Sequence, residues 1–253
     1  SLPNTSSVVV SGLRQLLGQA KVWNDVPTLT AYAVDASIYR MQPQAVVLAE
    51  HEGDIDTVVR FAVERGIPLT PRAAGTNLTG SAIGSGIILD ISKMNRILEV
   101  NEEERWARVQ PGIVLAELNK QLGRRNLLFG PDPSSGDMCK LGGMLANNSA
   151  GPHTLIYGAV KDNVQARRVC LPCGSWLSAS SMTLNDPGLD QTLAAHPSLK
   201  PILDLVQRQR SLIDSKKPTV SKNSCGYNLF GLVDGLSRGV FDLPKLFVGS
   251  EGT

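Results

Sequence analysis

The stretch Pro71-Arg72-Ala73-Ala74-Gly75-Thr76-Asn77-Leu78-Thr79-Gly80 constrains the fold more than any other part of the chain, because it sets a glycine-bounded loop between two apolar runs. Ile67-Pro68-Leu69 leads in and Gly86-Ile87-Ile88-Leu89-Asp90 leads out, so the loop belongs at the end of a sheet and not at the head of a long helix. Without a Cβ, Gly75 and Gly80 allow positive φ, and the backbone between them can turn several N–H groups toward a diphosphate. Thr76, Asn77, Thr79 and Ser81 add short polar groups, and Arg72 adds a cation for which a surface carboxylate is the competing partner. Two other nucleotide classes are excluded. Gly80 is followed by Ser81-Ala82 and not by Lys-Ser/Thr, so the Walker signature fails, and no Gly-x-Gly-x-x-Gly stands between a strand and a helix.

With 253 residues, 42% of them hydrophobic, the chain can bury the core of one large or two small domains. A net charge of +2 and 5% aromatics provide neither a basic footprint nor a stacking platform, which argues against nucleic acid as a partner. No apolar run approaches membrane-spanning length, and Ser1-Leu2-Pro3-Asn4 lacks the regions of a signal peptide, so cytoplasmic residence is the expectation. Cys170-Leu171-Pro172-Cys173 has redox or metal spacing, but no second pair or nearby histidine completes a site, and no metal is expected. His51, His153 and His196 are scattered.

Hydrophobic spacing predicts a helix over Ser7 to Gln19 carrying Val8, Leu13, Leu16 and Leu17, ending near Gly18. A buried strand at Ala45 to Ala49, a helix capped by Asp54 or Gly53, running to about Arg65 and ended by Gly66, and a strand from Ile67 then form a βαβ unit. Its parallel sheet places the glycine loop at the carboxyl end of the second strand. Ile97 to Val100 and Trp106 to Gln110 flank an acidic turn and read as an antiparallel hairpin. Beyond it the pattern predicts a helix over Val114 to Leu122, a strand at Leu127 to Phe129 and a short helix within Met138 to Asn147. A strand pair, Val164 to Leu171 with Trp176 to Met182, and a helix over Leu199 to Leu212 follow.

Glycine keeps returning in the second half, at Gly130-Pro131-Asp132-Pro133-Ser134-Ser135-Gly136, Leu141-Gly142-Gly143, Asn147-Asn148-Ser149-Ala150-Gly151 and Tyr157-Gly158. Each alone reads as a surface turn; together they exceed what a hydrolytic site or a plain binding sheet needs.

In this order the motifs resemble the FAD-binding domain of the vanillyl-alcohol oxidase, or PCMH, type. Pro71 to Gly80 is similar to that family's pyrophosphate loop. Pro131 to Ser135, Leu141-Gly142-Gly143 with Asn147 to Gly151, and Tyr157-Gly158 with Asp162-Asn163-Val164 resemble its second flavin-contacting region; Val248-Gly249-Ser250-Glu251-Gly252-Thr253 resembles its terminal signature. Four ordered motifs across residues 45–253 are far more specific than one. The resemblance implies an α+β fold of two α/β subdomains, about residues 1–95 and 96–253, with a small mostly parallel sheet followed by a larger mainly antiparallel one and flanking helices. It also implies a cofactor site formed by Arg72, Ala74, Gly75, Thr76, Asn77, Leu78, Thr79, Gly80, Ser81, Pro131, Asp132, Gly142, Gly143, Asn147, Ser149, Gly151, Gly158, Asp162, Val164, Glu251 and Gly252. One branch of the fold bonds FAD to a histidine just after the loop's glycine; Thr76 stands there in this chain, implying a non-covalent flavin.

Lys222-Asn223-Ser224-Cys225-Gly226-Tyr227-Asn228-Leu229 is similar to a segment of D-lactate, glycolate and D-2-hydroxyglutarate dehydrogenases, with Ser224 in place of the usual threonine. Asp234 to Lys245 resembles an insertion of large members that carry an iron–sulfur domain downstream. The implied chemistry is hydride transfer from C2–H of a 2-hydroxy acid to flavin N5 while a base takes the hydroxyl proton. No residue of this sequence matches that base. The family's substrate domain, with its histidine-rich segment, lies beyond Thr253, so these residues are expected to hold FAD weakly at best and not to turn over hydroxy acids. Two alternatives remain open: an FAD-holding electron-transfer module like the medium subunits of molybdenum hydroxylases, and a non-catalytic nucleotide-binding domain.

Overall fold

Leu13 is fully buried, and its neighbours on one side of the first helix decide how the chain begins to fold. The computed structural model describes residues 5–220, 223–224 and 226–252. Helix α1 (Thr5–Leu17) buries Val9, Val10 and Leu13 with Leu17 packed alongside, while Val8 and Leu16 remain exposed. Leu13 and Leu17 thus lie on the core side as expected, while Val8 and Leu16 give way to Val9 and Val10; Val9, Leu13 and Leu17 are spaced by four, close to one turn of 3.6. Strand β1 (Val22–Trp23) and helix α2 (Val26–Tyr32) follow, then β2 (Ala45–Leu48), α3 (Glu52–Arg65), β3 (Leu69–Arg72) and β4 (Ile87–Asp90).

These strands form one sheet in the order β1-β2-β4-β3, with β2, β4 and β3 parallel and β1 antiparallel at the edge. Leu69 pairs with Ile87 and Arg72 with Asp90, so the segment between them makes the parallel crossover without a helix. Phe61, Val58 and Ala62 of α3 pack with Val47, Ile87 and Leu13 in the first apolar cluster. Burying a side chain of Phe61's size contributes roughly 2–3 kcal/mol. Helix α3 starts at Glu52 with His51 as its cap, earlier than the expected cap at Gly53 or Asp54. Asp54 lies inside the first turn, where its Oδ2 accepts the N–H groups of Glu50 (2.9 Å) and His51 (3.3 Å).

The hairpin of β5 (Ile97–Asn101) and β6 (Trp106–Val109) forms as expected and is followed by α4 (Leu115–Gly123), α5 (Leu141–Asn147) and α6 (Thr154–Tyr157). Ile113, Leu115, Leu118, Leu122, Leu141 and Met144 make a second apolar cluster, which also takes in Val248. The expected strand at Leu127 to Phe129 does not form. Asn119 satisfies this segment instead, its Oδ1 accepting Phe129 N–H (2.9 Å) and its Nδ2 donating to Phe129 O (3.1 Å), so no neighbouring strand is required.

A three-stranded antiparallel sheet, β7 (Ala166–Cys170), β8 (Trp176–Thr183) and β9 (Val240–Asp242), carries the last part of the chain, with α7 (Pro187–Ala195), α8 (Leu199–Arg208), α9 (Arg210–Ser215), α10 (Leu229–Leu236) and α11 (Leu243–Phe247). Leu177, Leu199, Leu203, Leu232 and Phe241 form its apolar cluster. The helix expected over Leu199 to Leu212 is broken at Gln209, beyond which Arg210 donates to Ser237 Oγ (2.6 Å) on the neighbouring segment. The α+β architecture of a small mostly parallel sheet followed by antiparallel pairing is therefore present, the antiparallel part being divided into a hairpin and a three-stranded sheet. Among the described residues no helix is long and apolar enough to cross a membrane.

Candidate functional site

Asn77 organises the loop that follows β3. Its Oδ1 accepts the N–H groups of Thr79 (3.1 Å) and Ser81 (2.9 Å), and its Nδ2 donates to Asp35 Oδ2 (2.9 Å). Asp35 also receives Ala82 N–H (3.4 Å) on the same oxygen and Ser37 N–H (2.9 Å) on the other. Burial pushes the Asp35 carboxyl up, but the hydrogen bonds from Ser37, Asn77 and Ala82 outweigh it and hold the group below its ordinary value. Ala36 N–H donates to Gly75 O (2.9 Å), so the loop rests on the segment after α2.

With Asn77 directed inward, the N–H groups of Gly75, Thr76, Leu78 and Gly80 donate to no acceptor among the described residues. Gly75 has φ +69, a left-handed backbone that glycine adopts freely, and a Cβ there would meet Arg72 Nη2 at 2.7 Å. Backbone N–H groups without an internal acceptor on a glycine-bounded loop are the donors a diphosphate uses, so the residues fit the group the sequence implies. Leu78 and Thr79 are exposed at the tip; Ala74, Thr76 and Ser81 are half-buried.

Arg72 braces the loop from beneath, its Nη2 lying against Gly75. Its Nη1 donates to the carbonyls of Val34 (2.8 Å), Tyr32 (3.3 Å) and Ala82 (3.3 Å), and its guanidinium carbon lies 5.0 Å from the Tyr32 ring centre. The Tyr32 hydroxyl in turn donates to buried Asp90. Burial, and then this bond, push the Tyr32 phenol well up.

Two later motifs close on the same loop. A Cβ on Gly143 would touch Ala73 Cβ at 3.5 Å, Gly142 N–H donates to Pro111 O (2.7 Å), and Lys140 Nζ lies 3.4 Å from Ala73 O. From the chain's end, Gly249 and Glu251 donate to Leu145 O and Ala146 O, both at 2.9 Å, and Gly252 approaches so closely that a Cβ would lie 2.8 Å from Pro71 Cγ. Three stretches far apart in sequence therefore share one edge of the small sheet.

A second assembly gathers the remaining predicted residues. Asp132 accepts His153 N–H (3.3 Å) and pairs with His153 Nδ1; this hydrogen bond holds the carboxyl below its ordinary value. Gly151 backs directly onto Asp132, and Gly130, preceding Pro131, packs on Tyr157. Asp162 Oδ2 accepts Ala159 N–H (2.9 Å) beside Gly158, Ser149 O accepts Val160 N–H (3.0 Å), Asn147 ends α5, and Val164 packs on the second apolar cluster. No described contact joins Asp132 or Asp162 directly to residues 71–81, so the structure gathers these predicted residues in a separate assembly.

Sequence reasoning did not single out Asp35 and Lys140, which meet the loop in the fold, and it named Asn148 only within the stretch Asn147 to Gly151. Asn148 is buried with φ +48, its Oδ1 accepts Lys161 N–H (3.0 Å), and its carbonyl accepts Ser224 Oγ (3.3 Å). Its left-handed backbone, which asparagine tolerates, ends α5. Asn148 lines a shallow hollow with Asn223, Ser224, Gly226, Tyr227 and Asn228. Lys222 and Cys225 of that predicted segment, Thr253 of the terminal motif and the residues 1–4 lie outside the described residues. Among the described residues no three metal-ligating side chains cluster.

The model of a family described as an FAD binding domain matches residues 43–180. The D-2-hydroxyglutarate dehydrogenase of Pseudomonas putida is 34% identical over 255 residues, covering 96% of this chain and 25% of that protein. The glycolate oxidase subunit GlcD of Escherichia coli is 31% identical over 185 residues, covering 72% of this chain and 37% of that protein. The chain thus spans about a quarter to a third of the length of these curated relatives. Among solved structures, an alkyldihydroxyacetonephosphate synthase superposes with a TM-score of 0.64 at 24% identity, over 70% of this chain and 35% of that one, which is a likeness of fold.

Proposed function

The chain belongs to the FAD-binding-domain family whose model covers residues 43–180, and from that premise we propose that the loop from Arg72 to Ser81 holds the diphosphate of a non-covalent FAD. The N–H groups of Gly75, Thr76, Leu78 and Gly80, which donate to no acceptor among the described residues, carry this reading. Gly142, Gly143, Glu251 and Gly252 bound the same ligand from the opposite side; Asp132, Gly151, Gly158, Asp162 and Val164 hold the segments that flank it. Thr76 at the loop offers no imidazole for a covalent link. The two-part division near residue 95 belongs to the same proposal, and the separate apolar clusters on either side of it support that division.

The whole protein is proposed to oxidise a D-2-hydroxy acid, and D-2-hydroxyglutarate is the preferred substrate. The hydroxyglutarate dehydrogenase of P. putida aligns with 96% of this chain, against 72% for GlcD, which supports that preference. FAD, when bound, supplies the hydride acceptor. The chain's own part is to fix the diphosphate and so to orient the flavin; no residue here is assigned as the base that takes the hydroxyl proton. Titration of FAD into the full chain, followed by flavin fluorescence and by the melting midpoint, is expected to show saturable binding with stabilisation. Absence of both overturns the FAD reading. The substrate preference fails if the full-length holoprotein reduces a dye acceptor with glycolate or D-lactate but not with D-2-hydroxyglutarate.

A further inference from the structure

We propose that Lys140 is the cation that meets the FAD diphosphate on the Arg72–Ser81 loop, an inference that rests on the FAD reading of that loop. The diphosphate of FAD carries about two negative charges at neutral pH, and backbone N–H groups offset these only with partial charges. Residues 73–81 contain no ionisable side chain. A full positive charge must therefore come from outside the loop or be absent.

Arg72 is the nearest cation in sequence, yet its geometry makes it a strut. Its Nη1 is shared among the carbonyls of Val34, Tyr32 and Ala82, and its guanidinium lies against the Tyr32 ring. Turning it toward a ligand would leave those carbonyls unpaired, at about 1–3 kcal/mol for each one buried. The loop's own packing thus holds Arg72 where it is.

Lys140 stands differently. It immediately precedes α5, and its ammonium lies on the loop 3.4 Å from Ala73 O, a long contact to a neutral acceptor. Among the described residues no carboxylate pairs with it within 4.0 Å. Asp90, the acid whose charge it feels, already accepts the Tyr32 hydroxyl and Ser92 N–H (2.6 Å). Burial pushes the Lys140 amine below its ordinary value, with Arg72 acting in the same direction and Asp90 against both. A half-buried ammonium with one weak partner gains more from an arriving anion than an exposed, already paired one does. It also lies on the side from which Gly142 and Gly143 close on Ala73, so that glycine segment brings a charge to the loop as well as space.

The test compares FAD dissociation constants of the wild-type full chain, Lys140→Met and Lys140→Arg over a range of salt concentrations, alongside their ligand-free melting midpoints. Lys140→Met keeps the stem that packs on the loop and removes only the charge. The expected result is a loss of affinity of about tenfold for Lys140→Met with an unchanged ligand-free midpoint and a shallower salt dependence, and for Lys140→Arg a value within about threefold of wild type. Wild-type affinity is also expected to fall as pH rises toward the lysine range, and that of Lys140→Met to stay level. Equal affinity of Lys140→Met and wild type overturns the proposal. So does a loss with the wild-type salt dependence, which would make Lys140 a prop for Ala73. Failure of the wild-type chain to bind FAD overturns the FAD reading itself, and is seen before any substitution is compared.

Discussion

Replacing Asn77 by Asp changes one group at the centre of the loop and predicts a loss of stability that depends on pH. The acceptor Oδ1 remains, so Thr79 and Ser81 N–H keep their partner, but the amide that donates to Asp35 Oδ2 at 2.9 Å becomes a carboxylate oxygen. The lost bond, to a charged acceptor, contributes about 1.5–3 kcal/mol. Two carboxylates at roughly 3 Å repel by about 5 kcal/mol at an effective dielectric near 20, and solvent at this half-exposed loop removes half or more of that. A net loss of about 3 kcal/mol is expected near neutral pH, roughly 6–12 °C in melting midpoint for a chain of this size. The sign with pH is fixed by proton counting. The crowded pair binds a proton more tightly folded than unfolded, so the variant's deficit shrinks as pH falls from about 7.5 to about 4.5 and one carboxyl regains a donor. Urea titrations of both proteins at several pH values measure this. A deficit that stays constant across that range, or no deficit near neutral pH, would refute the account of how Asn77 holds the loop.

Asp54→Ala removes the acceptor of Lys21 Nζ at 2.9 and 2.8 Å and of Glu50 and His51 N–H, and is expected to cost about 2–4 kcal/mol in urea unfolding. Burial pushes the Asp54 carboxyl up, but the Lys21 and Glu50 bonds hold it below 3.8 in the fold, so its contribution is present above that pH and lost as pH falls through the folded value; wild type and variant should converge in acid. Gly151→Ala would place a Cβ 2.0 Å from Asp132 O, and a loss of about 2–3 kcal/mol by thermal unfolding is expected; a wild-type midpoint would show that the Asp132 flank yields freely. Iodoacetamide followed by peptide mass mapping should label Cys173 before Cys170 and Cys139. The Cys173 thiol is exposed and lowered by its bond to Ser175 Oγ (3.0 Å), burial pushes Cys170 up to about 11, and Cys139 is buried; equal rates at Cys170 and Cys173 would contradict this.

The elements legible in sequence were those whose signal is local. The β5–β6 hairpin carries strand-like residues on both sides of a polar turn, and Gly66 stops α3 in the left-handed conformation its sequence position suggests. Helices α2 and α7 were missed although both begin with an aspartate that caps the first turn and a proline just inside it, Asp25 with Pro27 and Asp186 with Pro187. Helix α10 was hidden by glycine: Gly235 sits where a Cβ would lie 2.9 Å from Val240 O, so the residue that weakens the helical pattern is the one that lets β9 return against it. The loop motif itself was legible, as was the chance that Arg72 was not a ligand. That Arg72 is spent on three carbonyls was not, because those acceptors belong to segments up to forty residues away in sequence. Asp35 and Lys140 were unreadable for the same reason: each meets the loop only through the fold.

In most parallel sheets a helix joins neighbouring strands. Here residues 73–86 do so between β3 and β4, and the same segment contains the loop proposed to hold the diphosphate. Mutations in it are therefore filtered by folding before they are filtered by binding. A descendant that no longer held a nucleotide would still need a connection of this span and its Asn77–Asp35 anchor, and would be free to change Thr76 and Leu78 first. The two kinds of position would drift at different rates, and that difference would separate a working relative from one that keeps only the shape.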